Sequence, residues 1–556
     1  MSTAESARPA RGGRRAPDRA QSDRARPDRQ RSDGHRSDRP RTAMERSAQS
    51  VTAVRARFGA WLSRPLASFH LVVTIATLLT VLGLVMVLSA SSVEAYADTG
   101  SAYSMFTTQL IFALLGALLF YVALRIPVHL LRALALPGFV VSLVMLFLVL
   151  IPGIGTLSGG ARRWFTLGTL SFQPSELAKV ALVIWGAHVL ATRRPGAPVK
   201  ELLIPLVPGA LLASLLVILQ PNYSTTVTFV IVVGALLWFA GLPLKLFAGV
   251  VFGVGVGAVI LAFSADYRAA RIFGFLNPGD DPQGANYQSR QAKFSLADGG
   301  LFGRGLGQSR AKWNYLPNAH NDFIFAIIGE ELGFIGCAAV IGLFALFVYT
   351  GLRIAMRSVD PFLRLLTAAA TTWILAQAMI NIGYVIGLLP VTGQQLPLVS
   401  AGGTSTAITL LMFGIVANAA RHEPEAVAAL HAGNDGRFGR LLRLPKPEQY
   451  SPGKVAAAQR AAAEKADRKR AAQREAQRRA AQQRERRRHE DQRRRDDQRR
   501  RDQQRGGEPQ AGRGMRGPGQ DPRRRQALAS DPRRDRSSGR RDDRHDRGFG
   551  ERGFRR

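Results

Sequence analysis

Residues 69–88 of the chain read FHLVVTIATLLTVLGLVMVL, and this stretch decides the fold class. No Lys, Arg, Asp or Glu interrupts it, and its length as a helix matches the hydrocarbon core of a bilayer. The charged segment before it is far too long for the basic region of a cleavable signal peptide. We therefore interpret the stretch as a first membrane span.

Further apolar runs of about 17–25 residues follow, each long enough for a bilayer core. Together with the first they number ten. We predict an all-α, polytopic membrane protein with ten transmembrane helices. The runs cover 69–89, 106–125, 130–151, 177–192, 202–220, 226–241, 244–264, 323–350, 363–389 and 404–420.

The composition indicates an apolar block between two basic ends. The chain has 75 Lys and Arg residues against 40 Asp and Glu residues, a net charge of +35, yet its mean hydropathy is zero. Such a combination excludes a soluble multidomain enzyme. The single cysteine, Cys337, excludes an internal disulfide framework and a cysteine-based metal cluster.

We divide the chain into a basic arm over 1–65, a membrane domain over 66–420 and a second basic arm over 421–556. The first arm has almost no large apolar side chain, so we expect it to be disordered. In the second arm, the Ala-, Gln-, Glu- and Arg-rich segment 455–505 favours helix, and the Gly- and Pro-containing remainder favours disorder. Neither arm has a nucleic-acid-binding motif. We expect the arms to bind anionic lipid or an acidic cytoplasmic partner, and we expect no nucleic acid as a partner.

Basic residues in the short loops set the orientation. Loops 90–105, 221–225 and 390–403 contain no Lys or Arg, so we place them outside and both termini in the cytoplasm. The long outside loop 265–322 nevertheless holds seven basic residues. It is either an ordinary solvated loop or a cationic surface for an anionic group such as a lipid pyrophosphate.

The outer loop leads into KWNYLPNAHNDFIF, residues 312–325, where a polar segment enters an apolar helix. Asp322 stands at that transition. Two compatible roles follow: an N-cap of the helix, which is a common place for aspartate, or a general base held at the membrane surface among cations.

A second polar segment contains GARRW, residues 160–164, followed by QPSELAK, residues 173–179. Ser175 is placed to cap the fourth span. Glu176 and Lys179 share one helix face, where they could form a structural ion pair or orient a substrate phosphate.

Two further features border the outer face. Glu330 and Glu331 lie one to two turns inside the eighth apolar run, and charges at membrane depth are candidates for function. LPVTG, residues 389–393, and SAGGTS, residues 400–405, predict irregular backbone, which must contact protein or line a wet cavity.

These segments, in this order and on these spans, resemble the SEDS family of membrane glycosyltransferases. The resemblance covers 66–420, and neither arm belongs to it. Within the family, the long outer loop and polar arms look most like the division (FtsW) branch, with the elongation (RodA) branch second. Asn222, Asn321 and Ala401 depart from the usual family pattern. The matching stretches are 160–179, 267–333 and 389–405.

The resemblance implies a peptidoglycan glycosyltransferase that polymerises lipid II into β-1,4 glycan strands at the outer face of the plasma membrane, at the division septum. The family's essential aspartate falls on Asp322, which would accept the proton of the attacking sugar hydroxyl in an inverting transfer. No cofactor or metal-ligand cluster is evident, although a divalent cation could assist the pyrophosphate. The substrate-binding residues that we infer are Arg163, Glu176, Lys179, Arg268, Arg271, Lys312, His320, Glu331 and Ser400.

The resemblance also implies a class B penicillin-binding protein, a transpeptidase, as partner, together with other division proteins. Two other functions stay open. A lipid II flippase would use Glu330, Glu331, Gln377 and Asn381 as part of a polar path, and a non-catalytic scaffold would recruit division proteins through the arms. Because Asp322 and most cations outside the arms lie at the outer surface, the enzyme is favoured.

Overall fold

The computed structural model describes residues 59–60, 63–158, 160–168, 170–193, 198–263, 275, 287–313, 316, 319–433, 439–440 and 442–505. Most of the arm that we predict to be disordered, 1–65, and all of 506–556 lie outside these residues, as does most of the outer loop before Tyr287.

Helices dominate the described residues, and a small sheet interrupts them once. The elements are α1 Ala67–Thr99, α2 Ser104–Arg125, α3 Val128–Leu148, β1 Thr156–Ser158, β2 Ala161–Leu167, β3 Leu170–Phe172, α4 Pro174–Ala191, α5 Val199–Leu203, α6 Leu206–Ile218, α7 Tyr223–Phe239, α8 Leu244–Phe263, α9 Tyr287–Asp298, α10 Ile324–Arg357, α11 Pro361–Val385, α12 Gly403–Arg421, α13 Pro424–His431 and α14 Pro452–Arg505.

Each predicted apolar run coincides with a helix or, for 202–220, with the consecutive helices α5 and α6. Seven of these units are long and apolar enough to cross a membrane: α1, α2, α3, α5 with α6, α10, α11 and α12. The all-α, multi-pass membrane fold is therefore confirmed. Helices α4, α7 and α8 are not among these seven, so the count of ten spans stays a prediction.

Helix starts follow local chemistry. Pro361 occupies the first turn of α11, where a missing N–H costs nothing, and the Asp360 side chain accepts a 2.9 Å hydrogen bond from Phe362 N. Asn222 caps α7 in the same way, because its Oδ1 accepts from Thr225 N at 3.4 Å. The residue that departs from the family pattern here thus works as a helix cap.

Burial separates a protein core from a lipid-facing rim. Most of α11 and α12 is buried inside the bundle. Helices α1, α2 and α3 instead expose large apolar side chains such as Val85, Leu114 and Val144. Such a surface would be unfavourable in water but suits hydrocarbon, as expected for a bundle surrounded by lipid.

Two parts of the predicted outer loops are ordered. Helix α1 continues to Thr99, so the expectation of a loop from residue 90 is wrong for its first ten residues. Strands β1, β2 and β3 form an antiparallel sheet in that order, which pairs Trp164 with Thr156 and Phe165 with Phe172. We did not predict this sheet, because two of its three strands have only three residues and are too short to show a period.

Helix α10 is not the uninterrupted span that we predicted. Gly333 breaks it with φ 68° and ψ −166°, a conformation that a side chain disfavours. The preceding loop supplies the hydrogen bonds that the break removes. Arg304 N donates to Glu330 O at 2.9 Å, and Phe334 N donates to Gly300 O at 2.9 Å. Irregular backbone is therefore satisfied by protein at this depth.

The residues that follow α12 pack on the membrane domain instead of belonging to a free arm. Ala426 and Leu430 of α13 are buried, and Arg421 donates to Pro445 O at 2.8 Å. The compact unit extends to Tyr450, beyond the boundary that we drew at residue 420. Helix α14, in the segment whose composition favours helix, belongs to a separate unit.

Candidate active site

Asp322 lies just before α10, but it does not cap the helix. Phe323 occupies the N-cap position, and α10 begins at Ile324, so the expectation of an aspartate cap is wrong. The main chain of Asp322 is held from the side by α11. Its carbonyl accepts a 2.9 Å hydrogen bond from Asn381 Nδ2 and a 2.7 Å bond from Tyr384 Oη. Asp322 thus directly precedes the N-cap residue, and its main chain is bound to α11.

The same two side chains bind the loop that connects α11 to α12. Asn381 Nδ2 and Tyr384 Oη each lie 2.7 Å from the carbonyl of Gln394. Both side chains are buried. The main chain of Asp322 and this loop are thus joined by one buried set of hydrogen bonds, which fixes their separation.

The carboxylate of Asp322 faces this loop. Asp322 is half-buried, and its Oδ2 lies 3.5 Å from the position that a Cβ on Gly393 would occupy. Gly393 has φ 73°, which favours glycine. The absence of a side chain at residue 393 leaves space beside the carboxylate, where an acceptor hydroxyl could approach.

His320, two residues earlier, is buried, and its Nδ1 lies 3.0 Å from Glu94 Oε2 at the end of α1. Burial lowers the pKa of His320, although the Glu94 carboxylate, and more weakly Asp98, act in the opposite direction. The imidazole is therefore mainly neutral at pH 7. Ala401 N donates to His320 O at 3.0 Å, so the α11–α12 loop also holds this residue.

Ser400 shapes that loop from within. Its buried hydroxyl accepts from Leu396 N at 2.8 Å. Gln109 of α2 spans the loop, because its Nε2 donates to Ser400 O at 3.3 Å and its Oε1 accepts from Gly402 N at 3.1 Å. In this structure Ser400 supports the loop next to Asp322, and any contact with substrate stays a prediction.

The ion pair predicted in α4 forms inside the protein. Lys179 Nζ lies 2.8 Å from Glu176 Oε2, and the Lys179 side chain is fully buried. The ammonium is also 3.5 Å from Gln377 Oε1 and 5.2 Å from the centroid of the Trp373 ring. Gln377 Nε2 donates to Gln395 O at 3.1 Å. The pair therefore reaches the α11–α12 loop through one intermediate side chain.

Ser175 does not cap α4. Gln173 is at the N-cap and Pro174 begins the helix, because proline is favoured in the first turn. Ser175 is buried one position further, where Asn222 Nδ2 donates to its hydroxyl at 3.5 Å. This contact ties the start of α4 to the start of α7.

The predicted cations occupy different places. Arg163, on β2, donates to Gln220 O at 3.0 Å and to Pro221 O at 2.9 Å, which ties the sheet to the turn between α6 and α7. Lys312 Nζ donates to Gly307 O within the outer loop. Arg268 and Arg271 lie outside the described residues, so their predicted roles stay predictions.

Glu330 and Glu331 are buried and bind the loop that precedes α10. Glu330 accepts from Ser309 Oγ at 2.7 Å and from Arg310 N at 2.6 Å. Glu331 accepts from Ser89 Oγ of α1 at 2.6 Å. Their carboxylates are thus occupied by hydroxyl and amide donors of the protein, and a substrate contact by Glu331 stays a prediction.

From the sequence, we underestimated the structural role of the buried amide side chains. Asn381 and Gln377 interrupt an apolar run, and we considered them only as part of a transport path. Tyr384 and Glu94 were not singled out. An amide or hydroxyl inside an apolar helix needs a hydrogen-bond partner, and here that partner is the loop around the site. Within the described residues, no cluster of three or more His, Cys, Asp or Glu side chains is suited to a metal ion.

The arrangement of these motifs has clear counterparts in known proteins. Residues 69–425 match the cell cycle protein family that groups FtsW, RodA and SpoVE. The chain belongs to this family. This match confirms the assignment to the SEDS family. The names of its relatives also confirm the prediction of a glycosyltransferase of cell wall synthesis.

Individual family members are similar over most of their length. The probable peptidoglycan glycosyltransferase FtsW of Mycobacterium tuberculosis is 59% identical over 404 residues, which cover 72% of this chain and 77% of that protein. Stage V sporulation protein E of Bacillus subtilis is 37% identical over 355 residues, covering 63% and 96%. A solved chain from a peptidoglycan synthase complex that coordinates polymerization and crosslinking is 28% identical, with a TM-score of 0.53 and coverage of 64% and 97%.

Proposed function

We propose that this chain polymerises lipid II into β-1,4 glycan strands during septal cell wall synthesis, with Asp322 as the general base. The observation that carries the proposal is the half-buried carboxylate beside Gly393, on a main chain fixed by Asn381 and Tyr384. A base must be held within hydrogen-bond reach of the proton that it accepts, and this arrangement provides such a support.

In the proposed reaction, the 4-hydroxyl oxygen of the acceptor sugar attacks C1 of the donor sugar while Asp322 takes the hydroxyl proton. A new C1–O bond forms with inversion, and the bond from C1 to undecaprenyl pyrophosphate breaks with its electron pair on the pyrophosphate. The leaving group needs charge stabilisation more than a proton. We assign that role to Lys312 with Arg268 and Arg271 of the outer loop, and a divalent cation could assist.

In this proposal Arg163 and Lys179 have a positioning role and do not stabilise the leaving group. Both already bind protein groups, Arg163 at Gln220 and Pro221 and Lys179 at Glu176. We propose that they position the sheet and the α11–α12 loop around the substrate. His320, Glu331 and Ser400 would act in the same way, by fixing the loops that border the lipid-linked sugars.

Loop charges support the proposed orientation. The end of α10 contains Arg353 and Arg357, whereas loop 390–403 at the Asp322 end contains no basic residue. By the positive-inside rule, Asp322 faces the exterior of the plasma membrane and both termini are cytoplasmic. The arms then lie beside the anionic inner leaflet and are available to an acidic partner.

We also propose a class B penicillin-binding protein as partner, alongside other division proteins. The similarity to a chain from a complex that coordinates polymerization and crosslinking supports this proposal. Strands made at the outer face require crosslinking there, so a transpeptidase partner follows from the product's chemistry.

A flippase receives less support from the buried polar groups. Gln377 and Asn381 bind Gln395 O and Gln394 O, at one end of the bundle. They complete a loop instead of continuing a polar path across α11.

The test uses purified full-length protein with its transpeptidase partner and fluorescent lipid II. We expect Asp322→Asn to lower polymerisation by at least about 100-fold while lipid II still binds. Asp98→Asn, which changes an exposed acid at the end of α1, serves as the matched control and should polymerise normally. Unchanged glycan length with Asp322→Asn would remove this residue from catalysis, and lipid II crossing vesicles without polymer would support the flippase.

A further inference from the structure

The loop between α9 and α10 exposes apolar side chains in an unusual concentration. We name residues 299–313 the anchor loop. Phe302 is 77% exposed, Trp313 63%, and Leu301 and Leu306 54% each. In water each of these side chains would remain hydrated at a cost, and an exposed apolar patch of this kind marks an interaction site.

The position of the break in α10 sets the depth of this loop. From Phe334 to Arg357 the helix has 24 residues, which span about 36 Å at 1.5 Å per residue. The hydrocarbon core of a bilayer is about 30 Å thick. Arg353 and Arg357 mark one end of this part of α10 as polar. Gly333, at the other end, therefore lies at the opposite boundary between hydrocarbon and headgroups.

The anchor loop is fixed to that boundary. Phe334 N donates to Gly300 O at 2.9 Å, and Ile335 N donates to Leu301 O at 3.3 Å. Phe334 and Ile335 are themselves 66% and 51% exposed at the start of the spanning part of α10. The exposed patch of the loop is thus continuous with the lipid-facing surface of a membrane helix.

The buried carboxylates of Glu330 and Glu331 hold the anchor loop at this boundary. Glu330 accepts from Ser309 Oγ and Arg310 N, and Glu331 accepts from Ser309 N at 3.3 Å. Glu331 also accepts from Ser89 of α1. Because these contacts join the loop to two helices, the loop cannot withdraw from the boundary without breaking several buried hydrogen bonds.

We propose that the anchor loop inserts Leu301, Phe302 and Leu306 into the leaflet on the Asp322 side and places Arg310 at the headgroups of anionic phospholipids. Aromatic and aliphatic side chains next to basic ones bind this interface, where apolar burial and attraction to anionic lipid act together. Arg310 is exposed, and its main chain is held by Glu330. The membrane would thereby hold the start of α10, and with it Asp322, at a constant distance from the membrane surface. The proposal does not depend on the catalytic role of Asp322.

The experiment measures depth directly in the full-length chain. In a Cys337→Ala background, Phe302→Cys carries the environment-sensitive fluorophore NBD, and the protein is reconstituted in phosphatidylcholine vesicles that contain phosphatidylglycerol. Leu157→Cys is the matched control, since Leu157 is 62% exposed on strand β1 and lies outside the anchor loop. Both labelled proteins must retain the thermal stability of the Cys337→Ala parent, and Leu306→Cys replaces Phe302→Cys if the latter does not.

We expect doxyl lipids to quench the label at residue 302 and iodide to quench it at least about threefold less than at residue 157. Equal iodide quenching at both residues would overturn the proposal. If the label at residue 302 is exposed to iodide until the transpeptidase partner is added, the patch is a protein docking surface and the proposal is also overturned.

A second comparison tests the headgroup contact. Omitting phosphatidylglycerol, or introducing Arg310→Gln in the Phe302→Cys protein, should weaken quenching by doxyl lipids. The effect of phosphatidylglycerol should be smaller in the Arg310→Gln protein. If neither change alters the quenching, the assignment of Arg310 to anionic headgroups is wrong.

Discussion

The hydroxyl of Tyr384 and the main-chain carbonyl of Asp322 are joined by a 2.7 Å hydrogen bond that links α11 to the start of α10. Asn381, one turn earlier on α11, reaches the same carbonyl at 2.9 Å. Both donors also bind Gln394 O. The aspartate is therefore positioned through its backbone, which leaves its carboxylate directed toward the α11–α12 loop.

Tyr384→Phe removes this hydroxyl and little else. One hydrogen bond contributes about 1 kcal/mol, so we expect the rate constant for polymerisation to fall about 3–10-fold with KM nearly unchanged. Initial rates over a range of lipid II concentrations measure both constants. Tyr349→Phe, a half-exposed tyrosine of α10, is the control and should be silent. An equal loss in both variants would contradict the positioning role.

Gly393→Ala tests the space beside the carboxylate. The new methyl group would stand 3.5 Å from Asp322 Oδ2, where we place the acceptor hydroxyl. We expect polymerisation to fall at least about 10-fold, because a misplacement near the base is costly. Gly100→Ala is a close control, since Gly100 has φ 74° against 73° for Gly393 but no atom within 4 Å of the added group. If both variants lose activity equally, backbone strain is the cause and crowding is not.

Much of the fold followed from the sequence, because lipid imposes a strict length and polarity on a spanning helix. The run at 69–88 falls within α1, and Pro174 and Pro361 mark helix starts. The break at Gly333 could not be predicted. A glycine in an apolar run is compatible with a straight helix, and only the tertiary contact with residues 300–305 selects the broken form.

The candidate site was predicted unevenly for a similar reason. Local spacing was enough for the Glu176–Lys179 pair, which needs only one helix face. The hydrogen bonds from Asn381 and Tyr384 to Asp322 join residues that are about 60 positions apart in the sequence. No local sequence pattern predicts a contact between residues so far apart. The polar residues inside apolar runs were the available signal, and their partners required the fold.

The Glu176–Lys179 pair gives a prediction about stability. Lys179→Met leaves a carboxylate that is only 8% exposed without its cation, which should cost about 3–5 kcal/mol. Adding Glu176→Leu should recover much of that loss, because the double variant buries no unpaired charge. Thermal unfolding of the four proteins of this cycle measures the coupling. The matched control is Glu448→Gln, which removes the acid of the exposed contact between His129 and Glu448. Additive losses in the cycle would contradict the coupling.

The buried imidazole of His320 gives a prediction about pH. Because burial lowers its pKa in the folded protein, the unfolded chain binds a proton more readily. The stability that results is present above the unfolded pKa of about 6.5 and is lost as the pH falls through the lower folded value. We expect the thermal stability of the protein to decrease below about pH 6.5 and the decrease to be shallower in His320→Gln.

His422 also has a pKa lowered by burial, so His422→Gln is the comparison for an imidazole remote from Asp322. Identical pH profiles for the parent and His320→Gln would refute the assignment.

The segment after α13 gives a prediction about where the membrane domain ends. Leu442 and Leu444 pack against the core, Arg421 donates to Pro445 O, and His431 Nε2 lies 3.2 Å from Pro447 O. A chain that stops after residue 440 loses these contacts and should unfold about 3–6 °C earlier, given two partly buried leucines and a buried guanidinium without its carbonyl. A chain that stops after residue 450 keeps all of them and loses only the separate unit that contains α14. Thermal unfolding and polymerisation should therefore be normal for the longer truncation and reduced for the shorter one. Equal behaviour of the two would place the domain boundary before residue 440.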